Sequence, residues 1–265
     1  MLKDITLGQY FPGDTGVHRL DPRTKLLLVV IYIVGLFNAV GWASYAFVIL
    51  VTAMSMAISK IKPKSALKGL KPVIIIIILT AVLNIFYTGG TPIIEGWIIT
   101  WEGIERAVMM SLRIILLIVG TFMLTYTTSP IALTDGLEIM MGPLKKIKIP
   151  VHEMSMMMSM ALRFIPTLIE ETDKIMSAQK ARGADFDSGN LFQRAKALLP
   201  ILVPLFVSAF RRADELAVAM ESRCYHGGKG RTRMKQLRMQ GIDAWALLLG
   251  AVFLAAVFVM KHFGL

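Results

Sequence analysis

The sequence predicts an all-α integral membrane protein with about five transmembrane helices and long cytoplasmic amphipathic helices between the fourth and fifth spans. Three observations carry this reading. The 265-residue chain is 55% hydrophobic with a mean hydropathy of +0.62, too apolar for an ordinary soluble domain. Apolar stretches close to the roughly 20 residues of a bilayer crossing occur near 25–42, 43–59, 72–88, 107–127 and 243–262. Between the last two, the chain is rich in charge yet keeps an apolar periodicity, as an amphipathic helix does. Three regions follow: 1–127 with four spans, 128–242 with the amphipathic helices, and 243–265 with the final span.

Residues 1–24 are mixed and polar, without the apolar core and small-residue cleavage site of a secretory signal. Only Asn38, Gly41 and their neighbours separate the first two spans, which predicts a tight hairpin. Ile74 to Ile78 is an unbroken isoleucine run. In water such β-branched residues suit a strand, but in lipid a helix satisfies its own backbone groups. Lys60, Lys62, Lys64, Lys68 and Lys71 fill one loop without an acid, whereas Glu95, Glu102 and Glu105 face only Arg106 in the next. Positive charge favours the cytoplasmic side, so the first loop is expected inside, the second outside, and the N-terminus inside. Trp42, Tyr45, Trp97 and Trp101 then fall near the external interface and Trp245 near the internal one, as interfacial anchors. The net charge of +11 reads as basic cytoplasmic loops, not nucleic-acid binding.

In the long middle region, Thr128-Ser129-Pro130 marks a helix start and Gly142-Pro143 a stop. Further helical segments run over about 151–182 and 190–226. Pro166, Pro200 and Pro204 are expected to bend them. Ala197 to Phe210 is apolar but short and proline-interrupted, so it is expected to lie at an interface or against protein. Residues 229–238 form a basic strip suited to anionic headgroups.

One pattern occurs twice. Asp173 to Gly183 and Asp214 to Cys224 place an acid, an Ala, a small residue, an Arg and another small residue at matching offsets. On a helix Ala178, Ala181 and Arg182 share a face, as do Ala219, Ser222 and Arg223. Small residues let a helix end approach a partner while the guanidinium reaches into it. Gly183 and Gly227 are expected to supply the helix stops. Taken singly, an Arg before a glycine is an ordinary helix C-terminus; the matched pair points to two similar partners.

Met154, Met156, Met157, Met158 and Met160 follow Met140 and Met141. Methionine ordinarily fills core gaps, but these positions point several ways around one helix, which suits an adaptable docking surface. Signs of enzyme chemistry are weak. His18, His152, His226 and His262 share no metal-ligand spacing, and Cys224 beside His226 lacks an oriented third group. The sole cysteine excludes an internal disulfide framework. Gly227-Gly228-Lys229-Gly230 lacks P-loop spacing and follows a helix, so ATP hydrolysis by this chain is not expected. Arg113 lies within the fourth span, where a charge is costly and often functional; snorkelling or pairing with a neighbouring helix is the plainer account. Arg163, Arg211 and Arg212 are expected to pair with nearby acids such as Glu215.

Gly16 to Lys25, Thr127 to Pro130, Ala181-Arg182-Gly183 and the run from Ser222 to Thr232 resemble the T component of energy-coupling factor (ECF) transporters, of the shared-module type. The resemblance covers nearly the whole chain. Ser222-Arg223-Cys224 departs from the family's commoner Ala-Arg-Gly but keeps the Arg. It implies a membrane scaffold of an ABC-type importer in a bacterial cell membrane. Two cytosolic ATPases would receive the coupling helices that end in Arg182 and Arg223, and a small membrane S component would bind a vitamin or other micronutrient. ATP and Mg would be held by the ATPases, with no cofactor in this chain. The methionine-rich segment fits S-component docking. A stand-alone secondary transporter and an intramembrane enzyme remain as alternatives. Secondary transporters often show inverted repeats, whereas the repeat here is cytoplasmic and parallel in chain direction, and an intramembrane enzyme would have only Asn84, Arg113 and scattered hydroxyls at membrane depth.

Overall fold

The computed structural model describes residues 10–92, 99–184, 186, 190–228 and 237–264. Their order is α1 (Gly16–Arg19), α2 (Pro22–Asn38), α3 (Gly41–Ser59), α4 (Pro63–Leu70), α5 (Ile74–Tyr87), α6 (Trp101–Thr127), α7 (Pro130–Met140), α8 (Val151–Ala181), α9 (Leu191–Ser222) and α10 (Gly241–His262). Regular structure among them is helical, with one isolated antiparallel bridge between Pro92 and Thr100. The chain divides into two compact units: one holds the described residues 10–136 and 237–264, the other 137–228.

The first unit carries the membrane helices. Four stretches are long and apolar enough to cross a bilayer: Gly41–Ser59, Pro63–Tyr87, Trp101–Thr127 and Gly241–His262. α2, the first expected span, has 17 residues, at the short end of the crossing range of about 17–25. The expected hairpin is present, because α2 stops at Asn38 and Gly41 starts α3 with φ +81°. The third crossing is not one smooth helix: a 3₁₀ turn at Lys71–Val73 joins α4 to α5. α6 starts well before the expected residue 107, because Thr100 caps it. Its hydroxyl accepts from Gly103 N at 3.1 Å and donates to Thr88 O at 2.8 Å, which closes the α5–α6 hairpin.

The core of this unit joins Leu36, Ala39, Tyr45, Val48, Leu116, Phe253 and Val257. The Phe253 ring lies between Tyr32 and Phe47, with centroids 6.1 and 5.8 Å away. Glycines make the approach possible, as small residues do between membrane helices. A Cβ at Gly35 would lie 2.6 Å from Phe253 Cε1, and one at Gly120 would overlap the Tyr32 ring.

Polar groups stitch the start of α2 to the start of α10. Buried Asp243 accepts from Asp21 N at 2.8 Å through Oδ1 and from Gln240 N at 2.7 Å through Oδ2. Asp21 Oδ1 caps α2 by accepting from Arg23 N at 2.9 Å, and the Arg23 guanidinium donates to Leu237 O at 2.9 Å. Lys25 Nζ donates to His18 O at 3.1 Å and Thr127 O at 2.8 Å. The Gly16 to Lys25 motif thus ties the first, fourth and last expected spans at one end. Charges buried there are paired or hydrogen-bonded, as burial requires.

One expectation about the aromatic residues of this unit changes. Tyr45 is 2% exposed and inside the core, not an interfacial anchor. Trp97 and Glu95 lie outside the described residues. Trp42, Trp101 and Trp245 are exposed, and Trp42 Nε1 donates to Glu105 Oε1 at 2.9 Å.

The second unit holds the end of α7, a 3₁₀ stretch at Gly142–Ile147, and the two long helices α8 and α9 of 31 and 32 residues. α8 continues through Pro166, and α9 through Pro200 and Pro204. α8 and α9 pack against one another.

The Gly120 contact yields a test. The Tyr32 hydroxyl is held at 3.0 Å from both Thr52 Oγ1 and Leu116 O, so its ring cannot swing aside freely. Gly120→Ala should therefore lower stability by about 1–3 kcal/mol, the usual cost of overpacking. Thermal unfolding in detergent measures it, and an unchanged midpoint would show that the approach is loose.

Candidate functional site: two arginine-tipped helix ends

Both copies of the repeated pattern end in one backbone motif. At α8, Gly183 N donates to Lys180 O at 3.0 Å, Ala184 N donates to Gln179 O at 3.0 Å, and Gly183 has φ +87°. At α9, Cys224 N donates to Glu221 O at 2.8 Å, Tyr225 N donates to Met220 O at 3.0 Å, and Cys224 has φ +57°. These are the paired bonds and left-handed residue of a Schellman cap, which satisfies carbonyls that a helix end would leave open. Arg182 and Arg223 occupy the same position, one residue before the left-handed one.

Gly183 is a helix stop as expected, but the second stop is Cys224, not Gly227. Gly227 also has a positive φ, of +95°, yet it lies beyond the cap. The repeat's own alignment carried the signal: Cys224 stands where the first copy has Gly183.

Ala181, Arg182, Gly183, Ser222, Arg223 and Cys224 are all exposed. Among the described residues neither Arg182 nor Arg223 makes an ion pair. The chain thus presents two like-built, cationic helix ends to its surroundings.

α9 buries one narrow line. From 197 to 222, the residues that are not exposed are Ala197, Ile201, Leu205, Ser208, Arg212, Leu216 and Met220, spaced three or four apart as one helical face. The expected apolar stretch is therefore open on its other sides, with Leu202, Val203, Phe206 and Phe210 exposed. Within the described residues, Arg212 pairs with Glu171 of α8 at 2.9 Å, not with Glu215, which is exposed on α9. Arg163 and Arg211 are exposed, and no ion pair of theirs is found among the described residues.

The methionines at the start of α8 divide by face. Met154, Met157 and Met158 are exposed, while Met156 and Met160 are half-buried. The spacing of 154, 157 and 158 makes one open face. Just before it, His152 Nδ1 lies 3.0 Å from Glu138 Oε1 of α7. A Cβ on Gly228 would overlap the His152 ring, so the chain leaving the second arginine end lies against the start of the methionine-bearing helix. Sequence reading missed this approach, because a glycine after a helix looks only like a turn.

Arg113 has the helix-pairing role. Its Nε donates to Tyr45 OH at 2.9 Å and its NH2 to Ala39 O at 3.3 Å, with Phe37 and Tyr45 rings about its guanidinium at 6.0 and 5.9 Å. Hydrogen bonds and ring faces replace water around the cation. Asn84 donates to Thr80 O, four residues back on its own helix. His18 bonds within the N-terminal segment, to Thr15 Oγ1 at 2.6 Å and Phe11 O at 3.1 Å. Most of the basic strip, 229–236, lies outside the described residues.

The unequal caps give a prediction of opposite signs. A Cβ at Gly183 would meet nothing within 4 Å, so Gly183→Ala tests backbone conformation alone and should weaken that end by about 1 kcal/mol. Cys224→Gly should strengthen the other by about 1 kcal/mol. Hydrogen exchange at the Ala184 and Tyr225 amides reads both, and shifts in the same direction would contradict the shared cap.

Comparison with known proteins places this architecture. Residues 13–236 match the family model CbiQ, described as cobalt transport protein. The energy-coupling factor transporter transmembrane protein EcfT of Clostridium kluyveri is 56% identical over 256 residues, covering 95% of each chain. The protein of the same name from Ruminiclostridium cellulolyticum is 52% identical over 99% of each chain. That of Bacillus subtilis is 47% identical over 98% of this chain and 100% of its own. By this family match and nearly full-length similarity, the chain belongs to the CbiQ/EcfT family of transmembrane components of ECF transporters.

Proposed function

We propose that this chain is the scaffold of an ATP-driven importer. It joins two cytosolic ATPases to a small membrane protein that binds a vitamin or another micronutrient. The observation that carries the reading is the pair of like-capped, exposed helix ends with Arg182 and Arg223 at equivalent positions. Two similar prongs call for two similar receptors, and a pair of ATPase subunits supplies them. Each guanidinium offers a planar fork of donors to carboxylates or carbonyls in a partner groove.

The division of labour follows from what is exposed. Nucleotide and Mg are held by the ATPases, and this chain transmits their movement. When the heads close, helix ends keyed into them shift as rigid bodies. α8 carries that shift to its Met154, Met157 and Met158 face, and the chain beyond Arg223 reaches the same helix through Gly228. Flexible methionines suit a docking face that accepts S components of different shape. Transported substrate is selected by that other chain. The scaffold sits in a bacterial cell membrane with its N-terminus and the arginine ends on the cytoplasmic side, as the lysine-rich segment at 60–71, which includes α4, favours.

Arg182→Ala and Arg223→Ala should each weaken ATPase association by about 2 kcal/mol or more, roughly thirtyfold, the loss expected of an interface anchor. Co-purification with tagged ATPases and ATP-dependent uptake in proteoliposomes provide the readouts. Normal assembly and coupled uptake in both variants would defeat the two-prong reading. Replacing Met157 and Met158 together by Ser should reduce co-purification of the substrate-binding membrane protein while the ATPases stay bound. Retention of that protein at wild-type level would return the methionines to a packing role.

A further inference from the structure

The same offset that relates the two arginine ends also relates the two partners of an ion pair. Arg182 and Arg223 are forty-one residues apart, and so are Glu171 and Arg212. Arg212 NH2 lies 2.9 Å from Glu171 Oε2, with side chains 35% and 23% exposed. The pair therefore joins equivalent positions of the two copies. Each arginine tip stands eleven residues beyond it, an arm of about 16 Å at 1.5 Å per residue.

The arms cannot run side by side in the same direction from this point. Helices parallel and in register would put residue 191 beside residue 150, about 46 Å from residue 181 at helical rise. The nine residues between the helices reach at most about 36 Å. The two arms therefore leave the ion pair in different directions.

Charge on that contact is out of keeping with its line. Arg212 is the only charged member of the line Ala197, Ile201, Leu205, Ser208, Arg212, Leu216, Met220 that α9 keeps from solvent. Apolar side chains alone permit sliding by a turn, because one apolar residue replaces another at little cost. A charged group on such a seam resists the slip, since moving it off its partner leaves a half-buried charge unpaired.

We propose that Glu171 and Arg212 are positioning residues whose pairing sets the register of α8 on α9, and hence the separation of the arginine tips. The role rests on the reading of Arg182 and Arg223 as docking groups for its consequence, but not for its geometry. Tips at the wrong separation cannot enter two fixed receptors together, so the pair governs coupled engagement without touching nucleotide or substrate.

The test measures the separation directly. Cys224 is the only cysteine in the sequence and is exposed, and exposed Ser177→Cys adds a second label site on the other arm. Spin-label distances on the detergent-solubilised full chain should show one narrow population with the pair intact. Glu171→Gln and Arg212→Gln should each broaden that population about twofold. Glu171→Arg combined with Arg212→Glu should restore it, as pairwise coupling demands. In complexes with unlabelled wild-type cysteine content, the single variants should lose about tenfold in ATP-coupled uptake, and the exchanged pair should recover most of it. Should the glutamine variants fail to insert, Glu171→Asp and Arg212→Lys give the milder form, with broadening in the same direction. Unchanged widths in the single variants, or an exchange that fails to restore the distance, would overturn the proposal. If distances respond as expected while assembly and uptake do not, the pair positions the arms and the docking reading is what fails.

Discussion

The exposed arginine ends depend on a few backbone hydrogen bonds. A helix leaves its last carbonyls without partners, and the chain must satisfy them or be blurred by fraying. Here the bonds from Ala184 to Gln179 and Tyr225 to Met220 close both ends in the same way. Because each left-handed residue turns the chain sharply away, the residue before it is left at the outer rim. Arg182 and Arg223 sit there, so their side chains project from a fixed base while the following chain does not cover them. A frayed end would offer the same charge without a fixed origin, and recognition would then bear the entropy of ordering it.

Much of the architecture was legible because lipid is a demanding solvent. The bounds of α3 and α10 and the end of α6 follow from apolar length, and the α2–α3 hairpin from Asn38 and Gly41. The repeated pattern marked the two ends of the long helices for the same reason: small residues and Arg at fixed offsets have few other uses together. What escaped sequence reading was relational. Tyr45 looked like an interfacial ring but accepts from Arg113 on another helix, and nothing local to either residue announces the pairing. Arg212 has Glu215 within reach along its own helix, yet it meets Glu171 across the seam. Local spacing predicts the nearest partner along the helix, whereas packing brings in one from the facing helix.

Cys224 shows how a departure from pattern can mislead in a different way. A glycine three residues later drew the helix stop to Gly227, since glycine is the usual left-handed residue. The backbone instead accepts a non-glycine residue at φ +57°, at a cost of about 1 kcal/mol. The two arginines keep equivalent settings only because that cost is met. Had the stop moved to Gly227, the second helix would have run three residues further, and Arg223 would lie inside it and not at its end.

The apolar surface left open on α9 fits the proposed scaffold role. A helix of 32 residues that covers one line of side chains against its own chain gains little of the burial that ordinarily holds long helices in place. Leu202, Val203, Phe206 and Phe210 remain uncovered, and such surface is stable only beside lipid or another protein. A self-sufficient enzyme or carrier would fold that face inward around its own site. Here α9 keeps one line of side chains and the Arg212–Glu171 pair toward its own chain and leaves apolar and cationic faces outward. Those are the properties needed by a part that must hold several others at once and be displaced as a unit when one of them moves.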